Sequence, residues 1–484
     1  MSQEDIKQKA VKGVFWSFCE RFGSLLILFT ANVVLARLLT PEDFGLVGIL
    51  MAFVMISQIL IDGGFGNALI QQKKITTVDC STVFYTNIAV AIACYVALFF
   101  GADAIASFYD QSSLAQLIKV LGLVVVIDAF GVVQNNLLMK EVDFKRITIV
   151  KVGAALVSSV IAIVVAIYGL GIWSLVVQYV VNSIMKSTLL WIMSSWRPIL
   201  AYSKSSFKTL FNYGSKLLLA SVLSEAYRNL QVLIIGKYFP KAEVGYYSQA
   251  KHLQDVPVTS IMTVVNQVTF PIFSKLQDDK EQLKRGLSRS VKILTFLNFP
   301  LMMCLVIMAE PIFRLLFGEQ WLPAVPYFQW LCGGFGLLLV IHNTNISAIK
   351  AVGKSDTVLY LEIIKKVLGL GMIFGFIYCG SGAMSIMWAL AINSLIEFFL
   401  NGYFTGKYTG YGILNQAKDF LPNLIVTIIA SVAAYSLTFV DMHYLLLLVA
   451  QAVIFVVVYI GVMKIAKVET FNYLVAELKS KLKK

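Results

Sequence analysis

Glu225 and Arg228 stand three residues apart in the middle of residues 211–236, a stretch otherwise long and apolar enough to cross a bilayer. On a helix that spacing puts both side chains on one face, where they can pair, and Asn229 and Gln231 extend the polar surface. Glu20 and Arg21 form a second acid–base doublet, two helical turns inside the apolar stretch 13–36. A carboxylate at membrane depth can take up and release a proton. A guanidinium there offers a planar fork of donors that fits phosphate oxygens. Such groups suit the binding of an anion coupled to movement of a proton or other cation, and a purely structural ion pair is the plainer alternative.

Sixteen ionisable residues fall within apolar stretches of this kind. The basic ones are Arg21, Lys119, Lys151, Lys186, Lys216, Arg228, Lys251, Lys365 and Lys366, and the acidic ones are Glu20, Asp62, Asp128, Glu225, Asp255, Glu362 and Glu397. At about 2.5–3.5 kcal/mol for each charge at the bilayer centre, lipid-facing charges would cost about 40–55 kcal/mol in all. Lys119, Lys151, Lys186, Lys365 and Lys366 lie near span ends and can snorkel to an interface or pair locally. The mid-span charges call for a hydrated interior. Polar residues also recur every four positions: Gln178, Asn182 and Lys186; Asn393, Glu397 and Asn401; Gln58 and Asp62. These stripes fit interhelical hydrogen bonds or the lining of a cavity equally well. The expected substrate-binding cations are Arg21, Lys216 and Arg228, and the expected ion-coupling carboxylates are Glu20, Asp62, Glu225 and Glu397.

The elements that position these groups follow from composition. Of 484 residues 58% are hydrophobic and 14% charged, against about 45–50% and 25% in soluble domains. A soluble globule would then expose more apolar surface than water tolerates, and disorder requires the opposite composition. Fourteen spans are expected, at about 13–36, 44–65, 82–102, 116–139, 147–168, 172–193, 211–236, 246–272, 293–309, 327–349, 357–379, 383–404, 420–439 and 444–463. With the N-terminus cytoplasmic, inner loops and tails hold 27 Lys/Arg and outer loops four, so both termini are expected inside. The net +13 then divides into +15 on inner segments, −4 on outer loops and +2 within spans, so topology accounts for most of it and no nucleic acid is implied. After the last span, Phe471, Leu474, Leu478 and Leu482 with Lys479, Lys481, Lys483 and Lys484 read as an amphipathic tail on the inner membrane surface.

An internal repeat organises the spans. At an offset of 200, Ala36 to Leu39 and Asp43 to Leu46 fall on Gly236 to Phe239 and Glu243 to Tyr246, and a weaker match sets Asn135–Lys140 on Asn345–Lys350. Repeats of six helices in the same orientation are one plan of secondary transporters, with the substrate path at their interface. The expected fold is all-α and integral to the membrane, with two parallel six-helix lobes, 1–210 and 211–405, around a central cavity. Residues 406–484 supply two extra helices and the tail.

Recognisable enzyme devices are missing from the sequence. Gly353-Lys354-Ser355 lacks the P-loop's leading glycine, because position 348 is Ala. The six cysteines are scattered without a CxxC pair, and His252, His342 and His443 are isolated, so no catalytic residue, metal or cofactor is expected. A membrane polymerase or ligase would need a large outer loop, and the longest here is about sixteen residues. A cation-coupled drug exporter would favour acidic and aromatic cavity residues over arginine.

Several segments resemble a known family. They are Leu35-Ala36-Arg37-Leu38-Leu39-Thr40-Pro41-Glu42-Asp43-Phe44-Gly45, Asp62-Gly63-Gly64-Phe65-Gly66 with Ala68 to Gln71, Gly245-Tyr246-Tyr247, Phe270-Pro271 with Ser274 to Asp279, and Phe317-Gly318-Glu319-Gln320-Trp321. In this order they resemble the Wzx-type oligosaccharide flippases of the multidrug/oligosaccharidyl-lipid/polysaccharide exporter superfamily, close to the colanic-acid exporter branch. The resemblance implies ion-coupled transfer of undecaprenyl-pyrophosphate-linked oligosaccharide from the inner to the outer leaflet of a bacterial inner membrane. It implies membrane lipids and lipid-linked oligosaccharide as partners, and it leaves room for polysaccharide polymerase or assembly proteins.

Overall fold

The Thr40-Pro41-Glu42-Asp43 segment starts a helix by its own chemistry. The Thr40 hydroxyl accepts from the Asp43 N–H at 3.3 Å, the Asp43 carboxylate accepts from the Thr40 N–H at 3.0 Å, and Pro41 fills the first turn. Thr76 and Asp79 build the same box at another helix start. In the computed structural model the described residues are 3–72, 75–380, 382–473 and 476, and among them the regular elements are helices.

The chain divides into two compact units, residues 1–245 and 246–484. The first contains α1 (Gln3–Leu38), α2 (Pro41–Asp62), α3 (Phe65–Gln71), α4 (Thr77–Phe108), α5 (Ser113–Leu121), α6 (Leu123–Ala129), α7 (Val132–Lys140), α8 (Phe144–Ile167), α9 (Trp173–Met193) and α10 (Lys204–Tyr238). Helix α11 (Lys241–Lys275) begins in the first unit and continues into the second. The second then contains α12 (Lys280–Ile307), α13 (Ala309–Leu316), α14 (Val325–Trp330), α15 (Leu339–Ala351), α16 (Ser355–Tyr378), α17 (Ser385–Thr409), α18 (Ile413–Tyr435) and α19 (Tyr444–Ile465).

In the first unit α8 packs along α1 and α9, while α10 packs against α2, α3 and α4. One core joins Phe65, Leu69, Phe84, Val133 and Leu210, with Trp191 and Trp196 against it. In the second unit α18 packs against α12 and α19, burying Val426, Ala430, Phe455 and Met463. Large apolar side chains also point outward: Phe100, Ile167, Val432, Leu446 and Val457 are between 63% and 78% exposed, as a lipid-facing surface requires.

Among the described residues ten helical segments are long and apolar enough to cross a membrane, or eleven if the bent pair Ser113–Ala129 and Val132–Lys140 is one span. The protein is therefore a multi-pass all-α membrane protein, and the count of fourteen is not established by length and apolarity. The remaining expected spans fall on α10, α11 and α16, helices that carry intramembrane charges such as Glu225, Arg228, Glu362 and Lys365. Leu474, Leu478, Leu482 and the lysines of the expected amphipathic tail lie outside the described residues.

Where the helices break, side chains re-satisfy the backbone. Between α14 and α15 the segment Leu331–Gly336 widens into a π-turn. Asn298 Nδ2 donates to the carbonyls of Gly336 and Leu337, each at 3.0 Å, and Gln254 Nε2 donates to Leu331 O at 2.9 Å. In the first unit the Lys140 ammonium caps the C-terminal end of α3, bonding the carbonyls of Leu69 and Gln72.

Two close approaches need glycine. Positions 45 and 245, equivalent in the repeat, pack reciprocally: a methyl group on Gly45 would lie 2.1 Å from Lys241 O, and one on Gly245 would lie 1.9 Å from Pro41 O. Gly64, between α2 and α3, has φ of 72° and faces Gly214 O of α10 so closely that a methyl would lie 2.3 Å from it. Gly64→Ala therefore combines left-handed strain with overpacking and should cost about 2–4 kcal/mol. Gly101→Ala, in α4 with open space around it, should be neutral or slightly stabilising. Thermal unfolding of the purified variants tests the pair, and equal midpoints for both would contradict the assignment of tight packing to Gly64.

Candidate functional site

The Asp62-Gly63-Gly64-Phe65-Gly66 segment stops one helix and starts another within two residues. Gly63, with φ of 55°, closes α2, and Gly64 opens α3. This turn sets Asp62 at the mouth of two adjoining cavities in the first unit. The larger, about 390 Å³, lies between α2 and α10 and is walled by Gln58, Asp62, Gly64, Ser221, Glu225 and Arg228 among others. The second, about 260 Å³, shares Gln58 and Asp62 and adds Asp128, Asn135, Asn136, Lys151 and Lys186. Three carboxylates and three cations thus line a polar space within otherwise apolar helices.

Each charge is held by specific partners. Arg228 Nη2 lies 2.6 Å from Glu225 Oε2, and Asn229 Nδ2 donates to Glu225 Oε1 at 2.7 Å, so Glu225 is nearly enclosed while the guanidinium remains 64% exposed. Asp128 on α6 accepts from three donors: Gln58 Nε2 of α2 at 2.7 Å, Ser183 Oγ of α9 at 2.8 Å and Lys186 Nζ of α9 at 3.1 Å. Lys151 Nζ on α8 lies 2.9 Å from Glu20 Oε1 on α1. A methyl on Gly66 would meet both Asp62 Oδ1, at 2.6 Å, and Asn136 Nδ2, at 2.8 Å, so the missing side chain lets these two groups converge. The buried Asn136 amide thus faces the Asp62 carboxylate, a donor set against it in the cavity wall.

Of the residues singled out in the sequence, Asp62, Glu225 and Arg228 stand together in the larger cavity. Glu20 lines neither cavity but reaches the second through its partner Lys151. Arg21 lies on α1, exposed, and is not among the residues lining either cavity. Lys216 is on α10, and its side chain lies outside the described residues. Glu397 belongs to the second unit, where Asn393 Nδ2 donates to it at 2.9 Å and Lys365 Nζ lies 3.9 Å away. Lys151 and Lys186, for which positions near span ends allowed either an interface or a local pairing, pair with Glu20 and Asp128 and line the second cavity. The i, i+4 stripe containing Lys186 was the available signal. Its members divide, for Asn182 Nδ2 donates to Ser158 Oγ at 3.2 Å between helices while Lys186 turns to Asp128.

Comparison with known proteins agrees with this architecture. Residues 34–326 match the family model described as polysaccharide biosynthesis protein. Teichuronic acid biosynthesis protein TuaB of Bacillus subtilis is 25% identical over 443 residues, 91% of each chain. Succinoglycan biosynthesis transport protein ExoT of Rhizobium meliloti is 26% identical over 384 residues, 79% of this chain and 78% of its own. The solved structure of lipid II flippase MurJ in an inward closed conformation superposes with a TM-score of 0.73 at 17% identity, covering 93% of this chain and 98% of that one, which establishes a shared fold.

The Asp128 network generates a stability test. Asp128→Ala leaves Lys186 and Gln58 without their acceptor and should cost about 2 kcal/mol, whereas Asp128→Asn, which still accepts from Ser183, should cost about half as much. Unfolding midpoints in detergent compare them. A midpoint for Asp128→Ala equal to that of the unsubstituted protein would show that the network carries no stability.

Proposed function

Because the chain belongs to the family of polysaccharide biosynthesis proteins, we propose that it is a flippase for lipid-linked oligosaccharide repeat units. Its substrate in this reading is an oligosaccharide on undecaprenyl pyrophosphate, moved from the inner to the outer leaflet of a bacterial inner membrane for polysaccharide assembly. The observation that carries the reading is the cavity between α2 and α10, which sets Arg228 beside Glu225 and Asp62 within apolar helices. A pyrophosphate head with attached sugars cannot cross hydrocarbon, so it needs a hydrated path with cationic partners, while its polyprenyl tail can remain in lipid. The named transport role of ExoT, the flippase named in the MurJ structure, and the excess of Lys/Arg on inner loops support the same assignment, with both termini cytoplasmic.

The geometry suggests how anion binding couples to a cation. Arg228 is shared between Glu225 and whatever enters the cavity. A phosphate oxygen that captures the exposed guanidinium weakens its hold on Glu225, which frees that carboxylate to pair with a coupling cation. Lys151, Lys186 and the Asn136 amide extend the anion-binding surface, with Arg21 and Lys216 as further cations. Asp62, Glu20 and, in the second unit, Glu397 complete the set of coupling carboxylates. Transport follows alternating access between lobes 1–210 and 211–405, with 406–484 as an appendage.

The test is complementation of a strain lacking the gene. Arg228→Ala, which removes a charge-assisted contact, should lower surface polysaccharide about 10–100-fold while lipid-linked repeat units accumulate inside. Glu225→Gln should retain the protein in the membrane and lose transport. Full complementation by Arg228→Ala would overturn the cavity assignment, and sensitivity of the deletion strain to cationic drugs without loss of polysaccharide would favour a drug exporter.

A further inference from the structure

The second unit carries a separate basic site that the transport reading does not use. Along the first turns of α12, Arg285, Ser288, Arg289 and Lys292 recur at spacings of three and four and so share one face. That face walls a cavity of about 310 Å³ against Thr470 and Tyr473, and an adjoining one of about 240 Å³ against the segment 411–419, with Arg285 and Ser288 common to both.

Of the acidic groups here, Asp419 and Glu469 are engaged by Lys292, and the Glu281 carboxylate adds one negative charge to the adjoining cavity. Lys292 Nζ binds Glu469 Oε2 at 2.6 Å and lies 3.6 Å from Asp419 Oδ1, and the Tyr411 hydroxyl donates to Asp419 Oδ2 at 2.7 Å. One lysine thereby ties the chain after α19 and the start of α18 to α12, and its charge is balanced. Arg285 and Arg289 supply cationic character to the larger cavity, and Lys284 and Lys418 line the adjoining one. The Arg289 guanidinium sits 4.4 Å from the centre of the Tyr473 ring, which orients its fork, and Arg285 bonds the Glu281 carbonyl through Nε at 3.3 Å. Both arginines are exposed, and Ser288 and Thr470 add hydroxyl donors. Beside them the wall becomes apolar through Ile293, and Phe471 next to Tyr473 packs on Phe296 with ring centres 6.5 Å apart. Two guanidinium forks, two hydroxyls and an apolar flank match a phosphate ester on an amphiphile, because arginine presents paired donors to phosphate oxygens and basic pockets among membrane helices take anionic headgroups.

We propose that Arg285 and Arg289, with Ser288 and Thr470, form a binding site for a phosphate ester anion, separate from the cavity of the first unit. An anionic phospholipid headgroup and free phosphate share this chemistry, and the experiment separates them. The full chain is released from nanodiscs of mixed phosphatidylcholine and phosphatidylglycerol, and retained lipid is counted by native mass spectrometry. The unsubstituted protein should retain phosphatidylglycerol in preference to phosphatidylcholine. R285A/R289A should bind phosphatidylglycerol about 30-fold more weakly, with phosphatidylcholine retention and the lipid-free unfolding midpoint unchanged. Should the double variant fail to fold, R289A alone should weaken binding about fivefold. Sodium phosphate that displaces the lipid supports a site that a bare phosphate can fill, and failure to displace it supports a headgroup held as part of a lipid. Equal retention of the two lipids by the unsubstituted protein, or undiminished phosphatidylglycerol retention by R285A/R289A, would overturn the proposal.

Discussion

A charge cannot be left facing hydrocarbon, and this one constraint organises the polar interior of the protein. Glu20 meets Lys151, Asp128 meets Lys186, Glu225 meets Arg228 and Lys365 meets Glu362. Two of these pairs, Glu20 with Lys151 and Asp128 with Lys186, also join helices. Asp128 alone fixes α6 to α2 through Gln58 and to α9 through Ser183 and Lys186. Burying an ion pair seldom stabilises a protein more than apolar residues of the same volume would, because desolvation offsets the attraction. Pairs that persist beside open cavities are therefore better explained by what the cavity must hold than by stability.

The exposure of each partner sharpens that distinction. Glu225 is enclosed by Arg228 and Asn229, while the guanidinium remains largely exposed, so the two members of the pair differ in their access to the cavity. Asp128 accepts from three donors on two neighbouring helices and acts as an anchor. Within a single polar space the structure thus separates a rigid ionic framework from a cation able to change partners. A ligand phosphate would compete for the second without dismantling the first.

How much of this could be read from the sequence depended on whether an interaction stays within one segment. The Glu225–Arg228 pair is local, and residue type with spacing was enough to find it. The pairs of Lys151 with Glu20 and of Lys186 with Asp128 cross between helices, and no spacing along one helix says which neighbour it faces. A lysine near a span end looks the same whether its flexible stem reaches the interface or pairs inward, so its position alone leaves both open. The span count met the same limit from the other side. Helices α10, α11 and α16 carry Glu225, Arg228, Asp255, Glu362 and Lys365, so a test of apolarity passes over them, while Asp62, Lys151 and Lys186 lie on helices that meet it.

The Asp62–Gly66 turn brings these strands together. Asp62 ends α2, where the helix dipole presents partial negative charge and disfavours a carboxylate, and only the two glycines separate it from the start of α3, whose N–H groups favour one. Gly64 is pressed against Gly214 of α10, so the turn cannot shift without moving the helix that bears Glu225 and Arg228. The placement of Asp62 is therefore tied to that of the helix that bears Arg228, and the two wall one cavity. The glycines of this segment serve a turn, a contact and a cavity wall at once, and none of the three leaves space for a side chain.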